Sequence, residues 1–470
     1  MDYSVTYGTR KGCVRVPSSK SIAHRLLICA ALSHDKSTLI CDGYSKDILA
    51  TIKCLNALGA HINTEENGRV GIEPIFSCTR KFSETAHLYC GESGSTLRFL
   101  LPIVAALGVK AVFHMEGRLS VRPMDEYINC LEANGAVISI CGDELMCEGR
   151  LKSGEYTIPG NISSQYISGL LFALPLLDGD SRIIVTGSIE SEDYILMTED
   201  AISKCLISYN KCRNEDIRIE APQNDATVCE YSIAGKQQYS APVSNRVEAD
   251  WSNAAFFLCM GAMSEAGITV KGMNRNSMQG DRRIMDVIRE YGAVIEHDKD
   301  SITVRRGRII DSCDTTDSDG GHEIIIDATA IPDLVPVIST LAAGADAVTR
   351  IINAGRLRLK ESDRIQTTVA MLRAVGACAQ ETENGIIIDG RMPETDVPTA
   401  VLPEGISALE SNNICRLSGG VIDAANDHRI AMAAAVAAGL CRNNVRVKDA
   451  ECVEKSFPTF WELLETLEVE

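Results

Sequence analysis

Positive charge is scarce in this chain of 470 residues. Lysine and arginine together number 46 against 64 aspartates and glutamates, which gives a formal net charge of -18 at pH 7. Such an acidic chain repels nucleic acid and anionic membranes, so we expect neither as its main partner. If the ligands are small anions instead, the cations that bind them have to be gathered locally against the field of the whole protein.

Long apolar runs and paired cysteine motifs are also missing. No stretch has the length of a membrane-spanning helix, and residues 1–5 lack the basic and apolar regions of a secretory signal. The 18 cysteines are scattered, with no C-x-x-C pair and no Cys/His cluster at zinc spacing. We therefore expect reduced, buried thiols in a cytoplasmic protein without a metal site.

A helix that stops at glycine followed by alanine recurs along the chain, and a strand-like alternating segment follows each stop. The stops lie at near-multiples of roughly 80 residues, a period too long for a solenoid repeat. A degenerate copy is expected over residues 199–210, with Tyr209 and Asn210 in place of Gly-Ala, and a sixth helix over residues 457–467. The four glycines are Gly59, Gly135, Gly292 and Gly376.

The length exceeds what one hydrophobic core usually serves, so we expect two domains of three α/β repeats each. Polar, proline-bearing stretches near residues 16–19 and 242–246 are typical of crossings between domains. One lobe would comprise residues 18–245, and the other residues 1–17 plus 246–470. Residues 210–246 carry no pattern to which a function can be assigned.

Residues 356–364, R-L-R-L-K-E-S-D-R, concentrate four cations and two carboxylates. A charge run is usually a solvated face, but two features favour a functional site here. Glu361 stands among cations, where small changes in geometry can hold it charged or neutral, as suits a proton-transfer group. Ser362 and Asp363 are placed to cap the helix that follows, and fixed charges at a helix start can hold an anion.

Three turns rich in glycine, serine or lysine lead into apolar helices, over residues 17–25, 90–101 and 160–171. Backbone N–H groups and hydroxyls at such helix starts bind anions, although ordinary capping is the alternative. None of the turns is a Walker A or dinucleotide motif, so a small phosphorylated metabolite fits better than a nucleotide. Asp250 also precedes an apolar helix, and there we expect a structural cap.

Isolated polar residues next to apolar runs form a second group of candidates: Arg122, Asp333, His428, Arg429 and Lys455. An acid in surroundings as apolar as those of Asp333 is capped, paired or catalytic. His428 is either a general base or a hydrogen-bonded spacer beside Arg429.

Taken together, these stretches resemble the 5-enolpyruvylshikimate-3-phosphate synthase family. The matching motifs run in the family's order from residue 17 to residue 458: P-S-S-K-S-I-A-H-R, G-S-T-L-R, R-P-M-D, S-S-Q-Y, N-R-N-S-M-Q-G-D, I-P-D, L-K-E-S-D-R, D-H-R and K-S-F-P. The resemblance implies an α/β (α+β) fold of two inside-out α/β barrels, each of three βαβαββ units, with the active site in the cleft between them. It implies a monomer that needs no cofactor.

The family transfers the enolpyruvyl group of phosphoenolpyruvate to the 5-hydroxyl of 3-phosphoshikimate. The motifs imply Asp333 as base, Glu361 as acid and Lys20 as a third catalytic group. The residues implied to bind 3-phosphoshikimate are Lys20, Ser21, Arg25, Ser163, Ser164, Gln165, Ser191, Tyr194, Asp333 and Lys360. Those implied to bind phosphoenolpyruvate are Lys20, Gly94, Arg122, Gln165, Arg364, Arg429 and Lys455.

Three positions depart from the family's pattern: Arg356 stands where many members carry asparagine, and Glu92 and Phe99 replace a common asparagine and proline. Gly94 is kept, which favours a pocket open to the inhibitor glyphosate unless Phe99 reshapes it. Two alternatives are a UDP-N-acetylglucosamine enolpyruvyl transferase and a non-catalytic phosphometabolite-binding protein. The first uses a cysteine before its Arg-Pro motif, which residues 117–122 lack, and the second is expected to lose Asp333 or Glu361.

Overall fold

The computed structural model describes residues 1–77, 85–213, 227–240, 244–307, 322–391 and 417–470. The chain forms two compact units, and each unit is discontinuous in sequence. Unit 1 comprises Met1–Val16, Ala249–Ser277 and Asp281–Glu470, and unit 2 comprises Pro17–Glu248 and Met278–Gly280. The second crossing follows Glu248 because the strand at residues 244–246 pairs within unit 2. Residues 308–321, which include the polar, acidic stretch from Asp311 to Gly321, lie outside the described residues.

The helices and strands of unit 1 are β1 (Tyr3–Val5), β2 (Arg10–Arg15), α7 (Trp251–Met263), β15 (Ile268–Lys271), α8 (Ile284–Glu290), β16 (Val294–His297), β17 (Ser301–Arg305), β18 (Glu323–Asp327), α9 (Val335–Ala343), β19 (Val348–Ile352), α10 (Arg364–Ala374), β20 (Cys378–Thr382), β21 (Gly385–Asp389), β22 (Gly420–Asp423), α11 (His428–Ala437), β23 (Val445–Lys448), α12 (Phe460–Glu465) and β24 (Glu468–Val469).

Those of unit 2 are α1 (Lys20–Ala31), β3 (Ser37–Ile40), α2 (Lys46–Ala57), β4 (His61–Thr64), β5 (Arg69–Glu73), β6 (Ala86–Gly91), α3 (Gly94–Leu107), β7 (Ala111–Met115), α4 (Asp125–Ala133), β8 (Ala136–Cys141), β9 (Glu144–Gly149), β10 (Glu155–Pro159), α5 (Ser164–Ala173), β11 (Ser181–Thr186), α6 (Glu192–Lys204), β12 (Asn210–Arg213), β13 (Thr227–Ile233) and β14 (Ser244–Arg246).

One strand pattern recurs in the sheets of both units. In the sheet β6-β7-β9-β8, the first two strands are parallel and the remaining pairs are antiparallel. The sheets β10-β11-β13-β12, β14-β3-β5-β4 and β18-β19-β21-β20 repeat this order, as does β2-β15-β17-β16 with β24 added at its edge. The last sheet keeps the parallel pair β22-β23 and takes β1 as its antiparallel partner. The predicted mixed α/β architecture of repeated units is confirmed.

The four predicted helix stops are confirmed. Each of the four glycines has a φ between 77° and 103°, in the left-handed region where a side chain would be strained. At Gly59 the following Ala60 N–H donates to the Leu55 carbonyl, the six-to-one bond of a Schellman motif.

The prediction for the degenerate copy is wrong in register. Helix α6 ends at Lys204, and Leu206 occupies the glycine position with a φ of 62°. The Ile207 N–H closes the motif on the Ile202 carbonyl. Leucine rarely adopts this backbone conformation, so the pattern of the sequence pointed to Tyr209 and Asn210 instead. The sixth helix is present as α12.

Each unit has its own core, built around helices that are buried on nearly every side: α7, α9 and α11 in unit 1, and α1, α3 and α5 in unit 2. Helices apolar all round are typical of a protein interior. Half of the predicted site residues lie at or just before the first turns of these helices: Lys20, Ser21, Gly94, Ser163, Ser164, Gln165, Asp333 and Arg429. The sheets thus hold the helix N-termini, and the polar residues on them, in fixed positions. No helix among the described residues is long and apolar enough to cross a membrane.

Candidate functional site

In unit 1, three carboxylates converge on the guanidinium of Arg364, which is 1% exposed. Its Nη1 donates to Asp333 Oδ1 at 2.7 Å, and its Nη2 donates to Glu361 Oε2 at 2.7 Å. Its Nε donates to Asp427 Oδ2, also at 2.7 Å. One buried arginine therefore fixes the two predicted catalytic acids in a single hydrogen-bonded group, because a guanidinium offers donors in a rigid plane.

Arg429 holds the other side of Asp333. Its Nη2 donates to Asp333 Oδ2 at 3.0 Å, and its Nη1 donates to the Asp333 backbone carbonyl at 3.0 Å. The same Nη2 lies 3.2 Å from the hydroxyl of Ser252. Asp333 thus accepts hydrogen bonds from both Arg364 and Arg429, which leaves its carboxylate little rotational freedom.

Two lysines complete the charge group. Lys360 Nζ lies 3.8 Å from Asp333 Oδ1, and Lys455 Nζ lies 3.6 Å from Glu361 Oε1. We call the four cations Lys360, Arg364, Arg429 and Lys455 with the three carboxylates Asp333, Glu361 and Asp427 the charge-balanced centre. The charges of this centre balance except for one excess cation, so the centre can accept a further anion.

The electrostatic environment sets the protonation state of Asp333. Burial opposes ionisation, but the charges of Arg429, Lys360 and Arg364 outweigh it and hold the pKa of Asp333 well below its ordinary value. Asp333 is therefore ionised at neutral pH. Burial lowers the pKa of Lys360, Asp333 raises it, and Arg364 and Arg356 lower it; together they place this pKa at about 8. Lys360 can thus change its charge close to physiological pH.

The helix starts around this centre are built much as predicted, with one correction. Asp363 caps α10 by accepting the Gln366 N–H, whereas the Ser362 hydroxyl donates to Asp427 Oδ2 at 3.0 Å and takes no part in the cap. Asp250 caps α7 through the Asn253 N–H, as expected. Arg356 Nη2 donates to the Thr329 carbonyl at 3.0 Å.

His428 lies at the first turn of α11 and is 1% exposed. Its Nδ1 is 3.9 Å from Asp427 Oδ1. Asp427 itself caps α11 through the Arg429 N–H. Among the described residues, no group of three or more histidine, cysteine, aspartate or glutamate side chains is placed to hold a metal ion.

In unit 2 the buried cation Arg25 is held by hydroxyl and carbonyl oxygens rather than by carboxylates. The guanidinium of Arg25, which is 2% exposed, donates to neutral oxygens: the Thr198 hydroxyl at 2.8 Å, the Ser21 carbonyl at 2.6 Å and the Tyr194 carbonyl at 2.7 Å. Burial lowers the pKa of Arg25 to about 10. These contacts bring Arg25 together with the predicted Ser21 and Tyr194, but through their backbone carbonyls.

Lys20 is the first residue of α1, and its Nζ pairs with Asp47 Oδ2 at 2.9 Å. Asp47 is 7% exposed and lies in the first turn of α2. The pair holds the ammonium group of Lys20 at the start of the helix, where backbone N–H groups add positive potential.

A second cluster of unit 2 surrounds Gly94, the first residue of α3. A Cβ at this position would lie 2.8 Å from Arg98 Nη1, 3.2 Å from Arg122 Nη1 and 3.6 Å from Gln165 Oε1. The absence of a side chain therefore leaves room between two arginines. Gln165 links the cluster, since its Oε1 accepts from Arg98 at 2.9 Å and its Nε2 donates to the Ser95 hydroxyl at 3.0 Å.

The predicted hydroxyl residues are at helix starts, and their side chains have varied roles. The Ser163 hydroxyl caps α5 by accepting the Gln165 N–H at 3.3 Å. Ser164 is the first residue of that helix and is 7% exposed. Ser191 precedes α6 with a φ of 53°, an uncommon left-handed conformation for serine.

The two departures next to Gly94 have separate structural roles. The ring of Phe99 lies 5.0 Å from the guanidinium carbon of Arg25 and packs edge-on against Phe172. Phe99 therefore supports Arg25. The side chain of Glu92 lies over Gly117, where an added Cβ would be 2.6 Å from Glu92 Oε1.

Three residues of these clusters were not predicted: Asp427, Asp47 and Arg98. Asp427 and Arg98 belong to the motifs D-H-R and G-S-T-L-R. The sequence therefore marked these two residues, but it did not indicate which residues they contact. Asp47 begins one of the repeated helices, and nothing in its neighbourhood signalled its pairing with Lys20.

Comparisons with known proteins agree over nearly the whole chain. The family model described as EPSP synthase (3-phosphoshikimate 1-carboxyvinyltransferase) matches residues 6–464. The chain is 37% identical to the 3-phosphoshikimate 1-carboxyvinyltransferase of Clostridium acetobutylicum, covering 97% of this chain and 95% of the relative. It is 38% identical to that of Clostridium beijerinckii, covering 97% and 94%. In fold it is similar to a solved structure of EPSP synthase from Acinetobacter baumannii, with a TM-score of 0.72, 24% identity and coverage of 100% and 99%.

Proposed function

This chain belongs to the family of EPSP synthases, the 3-phosphoshikimate 1-carboxyvinyltransferases, and we propose that its charge-balanced centre carries out the proton transfers of that reaction. The enzyme transfers the enolpyruvyl group of phosphoenolpyruvate to the 5-hydroxyl of 3-phosphoshikimate and releases phosphate. This is the step of the shikimate pathway that precedes chorismate and the aromatic amino acids. Both substrates carry several negative charges, which accounts for local cations on an acidic chain.

In the first half of the reaction Asp333 acts as the base. It accepts the proton of the 5-hydroxyl while that oxygen bonds to C2 of phosphoenolpyruvate. Its low pKa in the free protein supports the ionised form that a base requires, but makes it a weak proton acceptor. The carboxylate and phosphate of phosphoenolpyruvate offset the charges of Arg429, Lys360 and Arg364, so substrate binding raises the pKa of Asp333 towards the range of efficient transfer.

Glu361 acts as the acid in the same step. It delivers a proton to C3, the methylene carbon, and the product is a tetrahedral ketal that still carries the phosphate. In the second half Glu361 takes a proton back from C3, the bond between C2 and the phosphate oxygen breaks, and the double bond is restored. Asp333 passes the proton of the 5-hydroxyl to the departing phosphate, so both carboxyl groups return to their starting states. The hydrogen bond from Arg364 and the nearby Lys455 support the role of Glu361, because they stabilise the carboxylate form after each proton donation.

Each of the two anionic substrates has its own proposed set of binding residues. We assign the phosphoenolpyruvate groups to Arg364, Arg429 and Lys455 of unit 1 and to Gly94, Arg122, Gln165 and Lys20 of unit 2. We assign 3-phosphoshikimate to Ser21, Arg25, Ser163, Ser164, Gln165, Ser191, Tyr194 and Lys20 of unit 2, with Lys360 and Asp333 of unit 1. Backbone N–H groups at the starts of α1, α3 and α5 support anion binding at these residues.

One observation carries the proposal: the two proposed proton-transfer groups, Asp333 and Glu361, are both hydrogen-bonded to Arg364. A protein that only bound phosphometabolites would have no need of two acids fixed on a buried cation. The cysteines of the described residues form no disulfide bonds, which supports a reducing compartment, and we propose a cytoplasmic monomer.

The test is phosphate release from phosphoenolpyruvate in the presence of 3-phosphoshikimate, with UDP-N-acetylglucosamine as the matched alternative acceptor. We expect release with the first acceptor and none with the second. Release that occurs only with UDP-N-acetylglucosamine, or with neither acceptor, would overturn the proposal.

A further inference from the structure

A cavity of about 360 Å³ lies in unit 1 at the first turns of α8, and it is lined by residues that the reaction does not use. Its cationic lining consists of Arg275, Arg282 and Arg289, and His297 adds an imidazole ring. Its size falls within the range of small-molecule sites. We call it the arginine cavity.

The cavity is built on rigid elements. Arg282 and Arg289 lie seven residues apart, so helical spacing puts them on one face of α8 and the turn before it. Trp251 forms part of the wall, is 1% exposed and donates its indole N–H to the Asn274 carbonyl at 3.2 Å. The neighbouring turn is held by the Asn276 N–H, which donates to Asn274 Oδ1 at 3.0 Å.

Positive charge in the cavity is only partly compensated. Of the lining residues, Asp286 is the single acid, and it pairs with Arg289 at 2.7 Å. Arg282 Nη1 donates instead to the backbone carbonyl of Arg275 at 3.1 Å, which brings the Arg282 guanidinium against the Arg275 backbone. In the described part of the chain no carboxylate lies within ion-pair distance of Arg275 or Arg282.

An ordinary solvated surface would intersperse acids among these arginines, especially on a chain with a net charge of -18. Here like charges are gathered around a concavity, which costs free energy unless an anion is bound. The environment of His297 shows the same field: partial burial, Arg275 and Arg289 lower its pKa.

We propose that the arginine cavity binds a small metabolite carrying two or more phosphate or carboxylate groups, at a site separate from the substrate residues. Arg275 and Arg282 supply charge that no carboxylate of the described residues compensates, and each guanidinium can bind an oxyanion through two parallel hydrogen bonds. Asn276 adds an amide that can donate or accept. This site goes beyond the enolpyruvyl transfer and does not depend on it.

The test uses inorganic pyrophosphate as the probe and isothermal titration calorimetry as the measurement. The variant is Arg275→Gln with Arg282→Gln, both exposed, so the fold should be retained. The matched control is Arg350→Gln with Arg446→Gln, which removes the same charge from exposed strand positions of unit 1. We expect the wild type and the control to bind one more pyrophosphate than the cavity variant, or to bind it about tenfold or more tightly.

Steady-state turnover of the cavity variant should equal that of the wild type at low anion concentration. Superimposable isotherms for the wild type and the cavity variant would overturn the proposal, because all the bound pyrophosphate would then be at the substrate residues. An equal loss in the control variant would also overturn it, since net charge alone would then explain the binding.

Discussion

The surroundings of two buried arginines, Arg364 in unit 1 and Arg25 in unit 2, shift their pKa values in opposite directions. Burial acts to lower the pKa of both. For Arg364 the carboxylates Asp427, Glu361 and Asp333 outweigh burial and raise the pKa, whereas Arg25 has neutral oxygen partners and its pKa falls to about 10. The two arginines are therefore suited to different tasks.

A cation matched by carboxylates attracts a substrate anion less strongly than an uncompensated cation does, but it also fixes those carboxylates and sets their protonation. A cation held by hydroxyls and carbonyls keeps its charge uncompensated, and an incoming phosphate supplies the missing counter-charge. We therefore interpret the charge-balanced centre as the proton-transfer machinery, and the arginines of unit 2 as phosphate anchors. Substitutions in the two units should therefore affect different kinetic constants.

The largest effect is expected for Asp333→Asn. The amide keeps the shape of the side chain and one acceptor for Arg364 but cannot take up a proton, so kcat should fall about 10²- to 10⁴-fold. Phosphate release measures the loss, and a thermal melt checks that the fold persists. The control, Asp346→Asn, neutralises an exposed acid of the same unit and should leave kcat unchanged. Near-normal turnover of Asp333→Asn would remove this residue as the base.

Gly94→Ala tests the anion room between the arginines of unit 2. A new methyl group would lie 2.8 Å from Arg98 Nη1, so the arginines have to move. Overpacking of this kind costs roughly 1–3 kcal/mol, and the KM for phosphoenolpyruvate should rise roughly 5- to 100-fold. Gly71→Ala is the matched control, because its added Cβ meets no atom within 4 Å. An unchanged KM in Gly94→Ala would contradict the assignment.

The pH dependence of Lys360 is expected to limit activity on the alkaline side. Its pKa of about 8 in the free protein means that its charge is lost as the pH rises through that value. Because the charged form binds the substrate anion, kcat/KM for 3-phosphoshikimate should decline above pH 8 or so. In Lys360→Arg the decline should move to higher pH, since a guanidinium stays charged. A wild-type profile that stays flat well above this pH would be inconsistent with the assignment.

The smallest effect is expected for Phe99→Leu. Loss of the ring next to Arg25 removes a cation–π contact of about 0.5–2 kcal/mol, so the KM for 3-phosphoshikimate should rise roughly 2- to 30-fold. Phe113→Leu makes the same change at another buried site of unit 2 and should alter stability without altering KM. If both variants change KM equally, Phe99 has no special role in holding Arg25.

Much of the fold was predictable because its signals are local. The glycine stops reflect a backbone conformation that glycine tolerates best, and the caps at Asp250 and Asp363 follow from side chains that can bond to a nearby N–H. Leu206 was missed for the same reason, since a leucine gives no sign that it will adopt a left-handed conformation. Local backbone preferences thus predicted where the helices of the repeats end, except at Leu206, where a residue adopts a conformation that it rarely takes.

The partners within the site were not predictable, because they join residues far apart in the sequence. Nothing in the spacing of D-H-R and L-K-E-S-D-R indicates that Asp427 accepts a hydrogen bond from Arg364. The sequence around Phe99 likewise gives no sign that its ring lies against Arg25. The motifs indicated which residues matter, and the packing of the central helices decides which of them meet. The contrast between Arg364 and Arg25 depends entirely on these contacts between residues that are distant in sequence.

The most direct test of the central claim is solvent exchange at the methylene carbon of phosphoenolpyruvate with Glu361→Gln. In D₂O with 3-phosphoshikimate present, the wild type should incorporate deuterium at C3, because the acid step is reversible. The variant should bind both substrates by calorimetry yet incorporate none, since an amide has no proton of suitable acidity to deliver. Incorporation by Glu361→Gln at the wild-type rate would show that the charge-balanced centre does not transfer this proton.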